Sequence, residues 1–131
     1  MASIFTRIMN GEIPCYKVAE NDKFIAILDA FPLVKGHTLI IPKKEEDYIF
    51  DLSDEDLSEM MIFAKKIAHA VKKGIPCKRI GVTVIGLEVP HAHIHLVPMN
   101  EEKDMSFQNP KLKLPKEVFE ETLAKIKQNL A

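Results

Sequence analysis

The chain has 131 residues, 47% hydrophobic and 28% charged, with 18 basic against 19 acidic side chains and a formal net charge of −1. That length fits one compact domain, residues 1–131, and so ordinary a composition excludes a disordered or fibrous class. The near-zero balance gives no global attraction for nucleic acid or an anionic membrane, although a local cationic pocket for one phosphate is compatible with it.

The opening MASIFTRIMNGEIP has no basic stretch followed by an apolar core and a small-residue cleavage site. No apolar run approaches about 18 residues, so a cytoplasmic location is expected. Cys15 and Cys77 lie far apart without CxxC spacing and read as two reduced thiols.

In chain order, Ile4, Phe5, Ile8 and Met9 have helical spacing within Ser3–Asn10, and Gly11 ends that short helix. Tyr16–Glu20 and Phe24–Asp29 are β-compatible runs joined by a turn rich in Asn and Asp. Pro32, Lys35 and Gly36 break the chain before a third strand, His37–Pro42. Ser53 caps the clearest helix: three acidic residues occupy its first turn, and Leu57, Met60, Met61, Ala64, Ile67, Ala68 and Val71 form its apolar stripe. Arg79–Ile85 and His91–Met99 read as strands joined by Gly86–Pro90, residues 100–114 are polar and proline-interrupted, and Pro115–Leu130 is an amphipathic helix. The expected class is therefore α+β, about five antiparallel strands with helices segregated on one face.

Residues 90–98 read PHAHIHLVP. On a strand, His91, His93 and His95 would share one face at intervals of roughly 6.5–7 Å, while Ala92, Ile94 and Leu96 enter a core. Imidazole serves as nucleophile, proton carrier or metal ligand near neutral pH, so such a row is a candidate reaction platform. His37, after a glycine at a strand start, could reach the same site, whereas His69 lies off its helix's apolar stripe and reads as solvated. A single metal ion held by all three is disfavoured because the outer two span about 13 Å of backbone. Two of them with His37 or Glu88 stay possible, as does nucleotide binding without turnover.

The segment His91-Ala-His93-Ile-His95-Leu-Val97 resembles the pattern that names the histidine triad (HIT) family of nucleotide hydrolases and transferases. Ser3-Ile-Phe5, Asn10-Gly-Glu-Ile-Pro14, Ala26-Ile-Leu-Asp29 and Gly36-His37 leading into Ile40-Ile-Pro-Lys-Lys44 resemble further blocks of small bacterial members, in the same order. The resemblance covers residues 3 to about 99 and implies a HIT-like fold and a purine nucleoside-phosphate pocket. In it His93 resembles the nucleophile that attacks the α-phosphorus, His95 the residue on the phosphate and leaving-group side, His91 an orienting residue and His37 the histidine completing the network. Asp29 resembles the ribose acceptor, and Ile4, Phe5 and Ile8 resemble the wall against which the purine lies, with Phe31 and Leu39 as additions. Gly86, Glu88 and Val89 belong to the loop beside the phosphates, and the 100–131 segment is a helical extension whose first part covers the leaving-group side.

Two departures shape the expectation. Ser3 and Thr6 stand where many relatives carry a zinc-binding CxxC, so no structural zinc and no cofactor are expected. The loop Val84-Ile-Gly86-Leu-Glu-Val-Pro90 is shortened, with Leu87 and Glu88 where an amide and a hydroxyl are usual. A carboxylate there favours a phosphoramidate, whose departing amine becomes protonated, over a dinucleoside polyphosphate. The family also implies a homodimer, for which Met60, Met61 and Phe63 offer apolar surface. Rival readings are a metal-dependent hydrolase and a non-catalytic nucleotide-binding module.

Overall fold

In the computed structural model, which describes residues 2–130, the Ser3 hydroxyl caps α1 (Ile4–Met9) by accepting from the Thr6 amide at 3.1 Å. Gly11, at φ +80°, then turns the chain toward β1 (Lys17–Glu20) and β2 (Phe24–Leu28). Between these strands the Asn21 carboxamide oxygen accepts from the amides of Lys23 and Phe24, an Asx turn that closes the hairpin. β3 (Thr38–Pro42) pairs with β2, and α2 (Asp54–Gly74) carries the chain across to β4 (Arg79–Thr83) and β5 (Ile94–Met99). All pairs are antiparallel, in the order β1-β2-β3-β5-β4. α3 (Lys116–Lys127) follows Pro115, whose missing N–H costs nothing at a helix start.

The period of two sorts the strand residues between two apolar clusters. Phe24, Ala26, Leu28, Ile40, Ile94 and Leu96 meet Met60, Phe63, Ala64, Ile67 and Val71 of α2 and Phe119 and Ile126 of α3 in the larger one. Fully burying each large aliphatic or aromatic side chain is worth about 1.5–3 kcal/mol, so this face dominates the stability. Ile25, Ile27, Leu39 and Ile41 turn the other way and pack on Phe5, Ile8 and Met9 of α1. The helices are thus not segregated on one face: α1 covers the second, because β2 and β3 are apolar on both sides.

Another expectation is corrected. Met60 and Phe63 are core residues, so of the three candidates for a dimer surface Met61 alone is exposed; apolar exposure lies instead at Ile62, at Val82 on β4, and at Val84, Ile85 and Leu87 beyond it. Cys15 and Cys77 are free thiols and His69 is exposed. Among the described residues no helix is long and apolar enough to cross a membrane.

Candidate active site

The triad does not lie on one strand. β5 starts at Ile94, leaving His91 and His93 in an irregular approach to it, and only His95 takes part in the ladder, opposite Leu39 and Thr83. The backbone gives the reason: Pro90 offers no N–H, the His91 amide folds back on the Val89 carbonyl at 2.8 Å, and the Ala92 amide goes to the Glu46 carbonyl at 2.7 Å. Ala92, Ile94 and Leu96 nonetheless enter the larger core, and all three histidines are buried. The His93 and His95 rings are 4.8 Å apart, while the His91 ring turns to α1.

Hydrogen bonds fix the tautomer of each site imidazole. A carbonyl accepts and cannot donate, so the Pro42 carbonyl, 2.7 Å from His91 Nε2, requires the proton there. His91 Nδ1 then accepts from the Ser3 hydroxyl at 2.6 Å. The His91 carbonyl lies 2.8 Å from His93 Nδ1, so that nitrogen is protonated and His93 Nε2 keeps a lone pair. At His37, Nδ1 accepts from the Leu33 amide at 3.1 Å, so Nε2 carries the proton and donates it to His95 Nδ1 at 3.0 Å. The remaining proton of His95 is therefore on Nε2. Neither His93 Nε2 nor His95 Nε2 has a partner among the described residues, and no buried side-chain N or O atom lacks one. Both atoms consequently reach solvent, one as an acceptor and one as a donor.

Burial favours the neutral form of His37, His93 and His95. It pushes His37 down to about 3 and His95 down to about 4, with neighbouring histidines and the Lys111 ammonium adding smaller contributions, and it lowers His93 as well. Asp29 lies beside this pair, its Oδ2 3.6 Å from His37 Nε2 and its Oδ1 accepting from the Phe31 amide at 2.9 Å. Burial raises the Asp29 carboxyl, the Phe31 amide and Lys111 lower it, and Glu88 raises it further. Gly36, at φ +94°, makes the turn that lets the Asp29 amide reach the His37 carbonyl.

The other predicted residues surround this centre unevenly. Phe5 meets His91 and His93 edge-on, at 5.7 and 4.9 Å between ring centroids. Leu39 is buried with it, Ile8 and Val89 pack against that cluster, and Ile4 is 46% exposed. Phe31 and Glu88 are exposed, and Gly86 turns the loop at φ +71°.

Sequence reasoning missed three contributors. Phe107 sets its ring 4.9 Å from that of His95 and 6.2 Å from that of His37, and Lys111 Nζ lies 4.5 Å from the Phe107 centroid. The Leu112 amide pins this segment to the Pro32 carbonyl at 2.8 Å. Glu45 accepts from the Ser3 amide beside α1, and that hydrogen bond chiefly holds its carboxyl below the usual range. The signal for the 100–114 contributors was slight: an aromatic and a lysine within a polar run have no periodicity.

The donor set around Ser3, Thr6, Glu45 and His91 does not fit a zinc ion, because neutral hydroxyls are poor zinc ligands and His91 Nδ1 is already hydrogen-bonded. Asp29, His37 and His95 do offer ligand atoms within 4.8 Å of one another.

Comparison with known proteins places this geometry. The HIT domain family matches residues 10–102. An adenosine 5'-monophosphoramidase of Schizosaccharomyces pombe is 34% identical over 97% of this chain and 100% of its own length. An uncharacterized HIT-like protein of Borreliella burgdorferi is 34% identical over 97% of each chain. Among solved structures, a Hit-like protein involved in cell-cycle regulation from Bartonella henselae superposes with a TM-score of 0.84 at 34% identity, covering 98% of this chain and 96% of that one. A zinc-bound histidine triad family protein from Mycobacterium smegmatis gives 0.79 at 27% identity, covering 98% and 95%. With its five-stranded antiparallel sheet, three helices and matched motif, the chain belongs to the HIT domain family.

Proposed function

We propose that the protein hydrolyses purine nucleoside phosphoramidates or related nucleotidyl substrates at the α-phosphorus, through a covalent nucleotide on His93. The observation that carries this reading is the pair of solvent-reaching nitrogens: a lone pair on His93 Nε2 beside a proton on His95 Nε2. A neutral imidazole whose far nitrogen already donates to a carbonyl can attack without a strong base. The new bond is Nε2 to phosphorus, and the bond that breaks is phosphorus to the leaving nitrogen. Its electron pair departs with the amine, which takes a proton from solvent. Water then adds to phosphorus, its proton returns to solvent, and His93 leaves with its lone pair restored. The His95 Nε2–H donates a hydrogen bond to oxygen bearing the developing charge.

Asp29 accepts from the ribose hydroxyls, and the purine lies along Ile4, Phe5 and Ile8. Relatives named adenosine 5'-monophosphoramidase support the bond class, among them one of Saccharomyces cerevisiae, 38% identical over 78% of this chain. Residues 1–131 act as one unit, with the 100–114 segment closing the His95 side. The assembly is a homodimer formed through the exposed apolar residues of β4 and the loop beyond it; a monomer mass at every concentration would refute it.

The test is His93→Ala against adenosine 5'-phosphoramidate. Turnover falls by about three orders of magnitude or more while adenosine monophosphate still binds; undiminished turnover refutes the assignment. The clustered ligand atoms of Asp29, His37 and His95 favour one second reading, a metal-dependent hydrolase. Activity lost to a chelator and restored by zinc would select it.

A further inference from the structure

We infer that Ser3 is a positioning residue for the His93 nucleophile, acting through His91; the inference rests on the hydrolase reading above. One oxygen does two things. Ser3 Oγ accepts from the Thr6 amide at 3.1 Å and so caps α1, and it lies 2.6 Å from His91 Nδ1. Thr6 Oγ1 is farther away, at 3.3 Å, and the single hydroxyl proton goes to the nearer, buried imidazole nitrogen. Donation in that direction is the one that the Pro42 carbonyl permits, because it already demands the other ring proton.

The consequence runs two residues along the chain. His91 is held at both nitrogens, and its carbonyl is the acceptor that orients His93 Nδ1 at 2.8 Å. His91 precedes β5, so no strand ladder fixes that carbonyl; besides the backbone bonds flanking it, the two ring bonds do so. The same cap holds α1, whose Phe5 meets the His93 ring edge-on at 4.9 Å. Ser3 thus ties α1 to the attacking nitrogen, and the Glu45 carboxylate, accepting from the Ser3 amide, steadies it.

Removing the hydroxyl leaves His91 Nδ1 buried without a donor and the ring held only by the Pro42 carbonyl, about which it is free to tilt. A displacement of the nucleophile by about 1 Å costs roughly 100-fold in rate. Ser3→Gly is the informative variant, because glycine is tolerated as a helix cap with small loss. Ser3→Thr keeps both the cap and the donor.

The experiment combines two readouts on the full chain. In steady-state assays with adenosine 5'-phosphoramidate, Ser3→Gly lowers kcat by about 10- to 100-fold with KM changed less than about threefold, and Ser3→Thr stays within about threefold of the parent. In imidazole nitrogen NMR, His91 keeps its Nε2–H tautomer in all three proteins because the Pro42 carbonyl holds that proton, and in Ser3→Gly alone its Nδ1 signal moves downfield and the His93 Nδ1–H signal shifts with it. Unchanged kcat in folded Ser3→Gly, or a His93 signal that does not move, overturns the inference. So does an equal fall in Ser3→Thr. The NMR arm needs no turnover: a parent protein inert toward every phosphoramidate refutes the hydrolase reading alone, and the His93 signal still decides the part played by Ser3.

Discussion

Acid should unfold this protein through its buried histidines well before its carboxylates matter. His37 sits at about 3 and His95 at about 4 in the folded state, against 6.5 for an unburied imidazole. The unfolded chain therefore binds the extra protons as pH falls, so stability is complete above about 6.5 and drains away toward the folded values. Between pH 7 and pH 5 each of these two rings forfeits about 2 kcal/mol, together about 4 kcal/mol, a large part of the roughly 5–15 kcal/mol that holds a domain folded. Asp29, raised by its burial, works in the opposite sense, but only where carboxylates titrate. Urea unfolding at pH 7, 6 and 5 measures the effect, and its midpoint slope near pH 5.5 should be about 2 kcal/mol per pH unit. In His37→Gln, whose side chain does not titrate, that slope should fall by about half whatever the variant's baseline stability. A parent protein whose unfolding free energy changes by less than about 1 kcal/mol over this range, or a variant with the parent's slope, would show that these rings are not held neutral by burial.

Two further outcomes follow from named geometry. Asp29→Asn replaces charge-assisted acceptance by neutral acceptance, so KM for a ribonucleoside substrate should rise about 10- to 100-fold, while a 2',3'-dideoxy analogue is indifferent; equal losses on both would remove Asp29 from the ribose. Gly36→Ala puts a Cβ 3.1 Å from Ile75 Cγ1 and 3.2 Å from Pro98 Cγ at φ +94°. Backbone strain and crowding together should cost about 2–4 kcal/mol in urea unfolding, and a loss below about 1 kcal/mol would contradict that account.

Much of the architecture was legible because its signals were local. Short apolar runs marked β2 and β3, Ser53 and three acids marked the start of α2, and the histidine spacing marked the candidate site. What stayed hidden depends on contacts between distant segments. PHAHIHLVP alone does not place the start of β5 at Ile94, because Pro90 sets that boundary only together with the return of the His91 amide to Val89 and the pairing of Ala92 with Glu46. Met60 and Phe63 could not be told from surface residues by apolarity alone, since α2 is buried by its neighbours on a stripe that includes them and omits Met61. The approach of Phe107 to His95 comes from a polar, irregular segment that the Leu112 amide ties to the distant Pro32 carbonyl, a contact with no local signal.

Three of the partners that set the histidine protonation pattern share a property. Leu33 N–H, the Pro42 carbonyl and the His91 carbonyl are main-chain groups, so none can titrate, and each can play only one role in a hydrogen bond. A carboxylate in any of these places would draw a second proton onto the ring and favour imidazolium, whose lone pair is gone. Here a backbone carbonyl orients His93 just as firmly while adding no net charge, and burial removes what tendency to protonate is left. The carboxylate in reach, Asp29, stands 3.6 Å from His37 Nε2, which points its proton toward His95 at 3.0 Å. Moving a carboxylate into hydrogen bond with His93 Nδ1 would thus raise the basicity of Nε2 and at the same time the fraction of enzyme in which that nitrogen is already protonated. An enzyme that attacks with a neutral ring near neutral pH gains most from the arrangement found here, a fixed uncharged acceptor on one side and an open lone pair on the other.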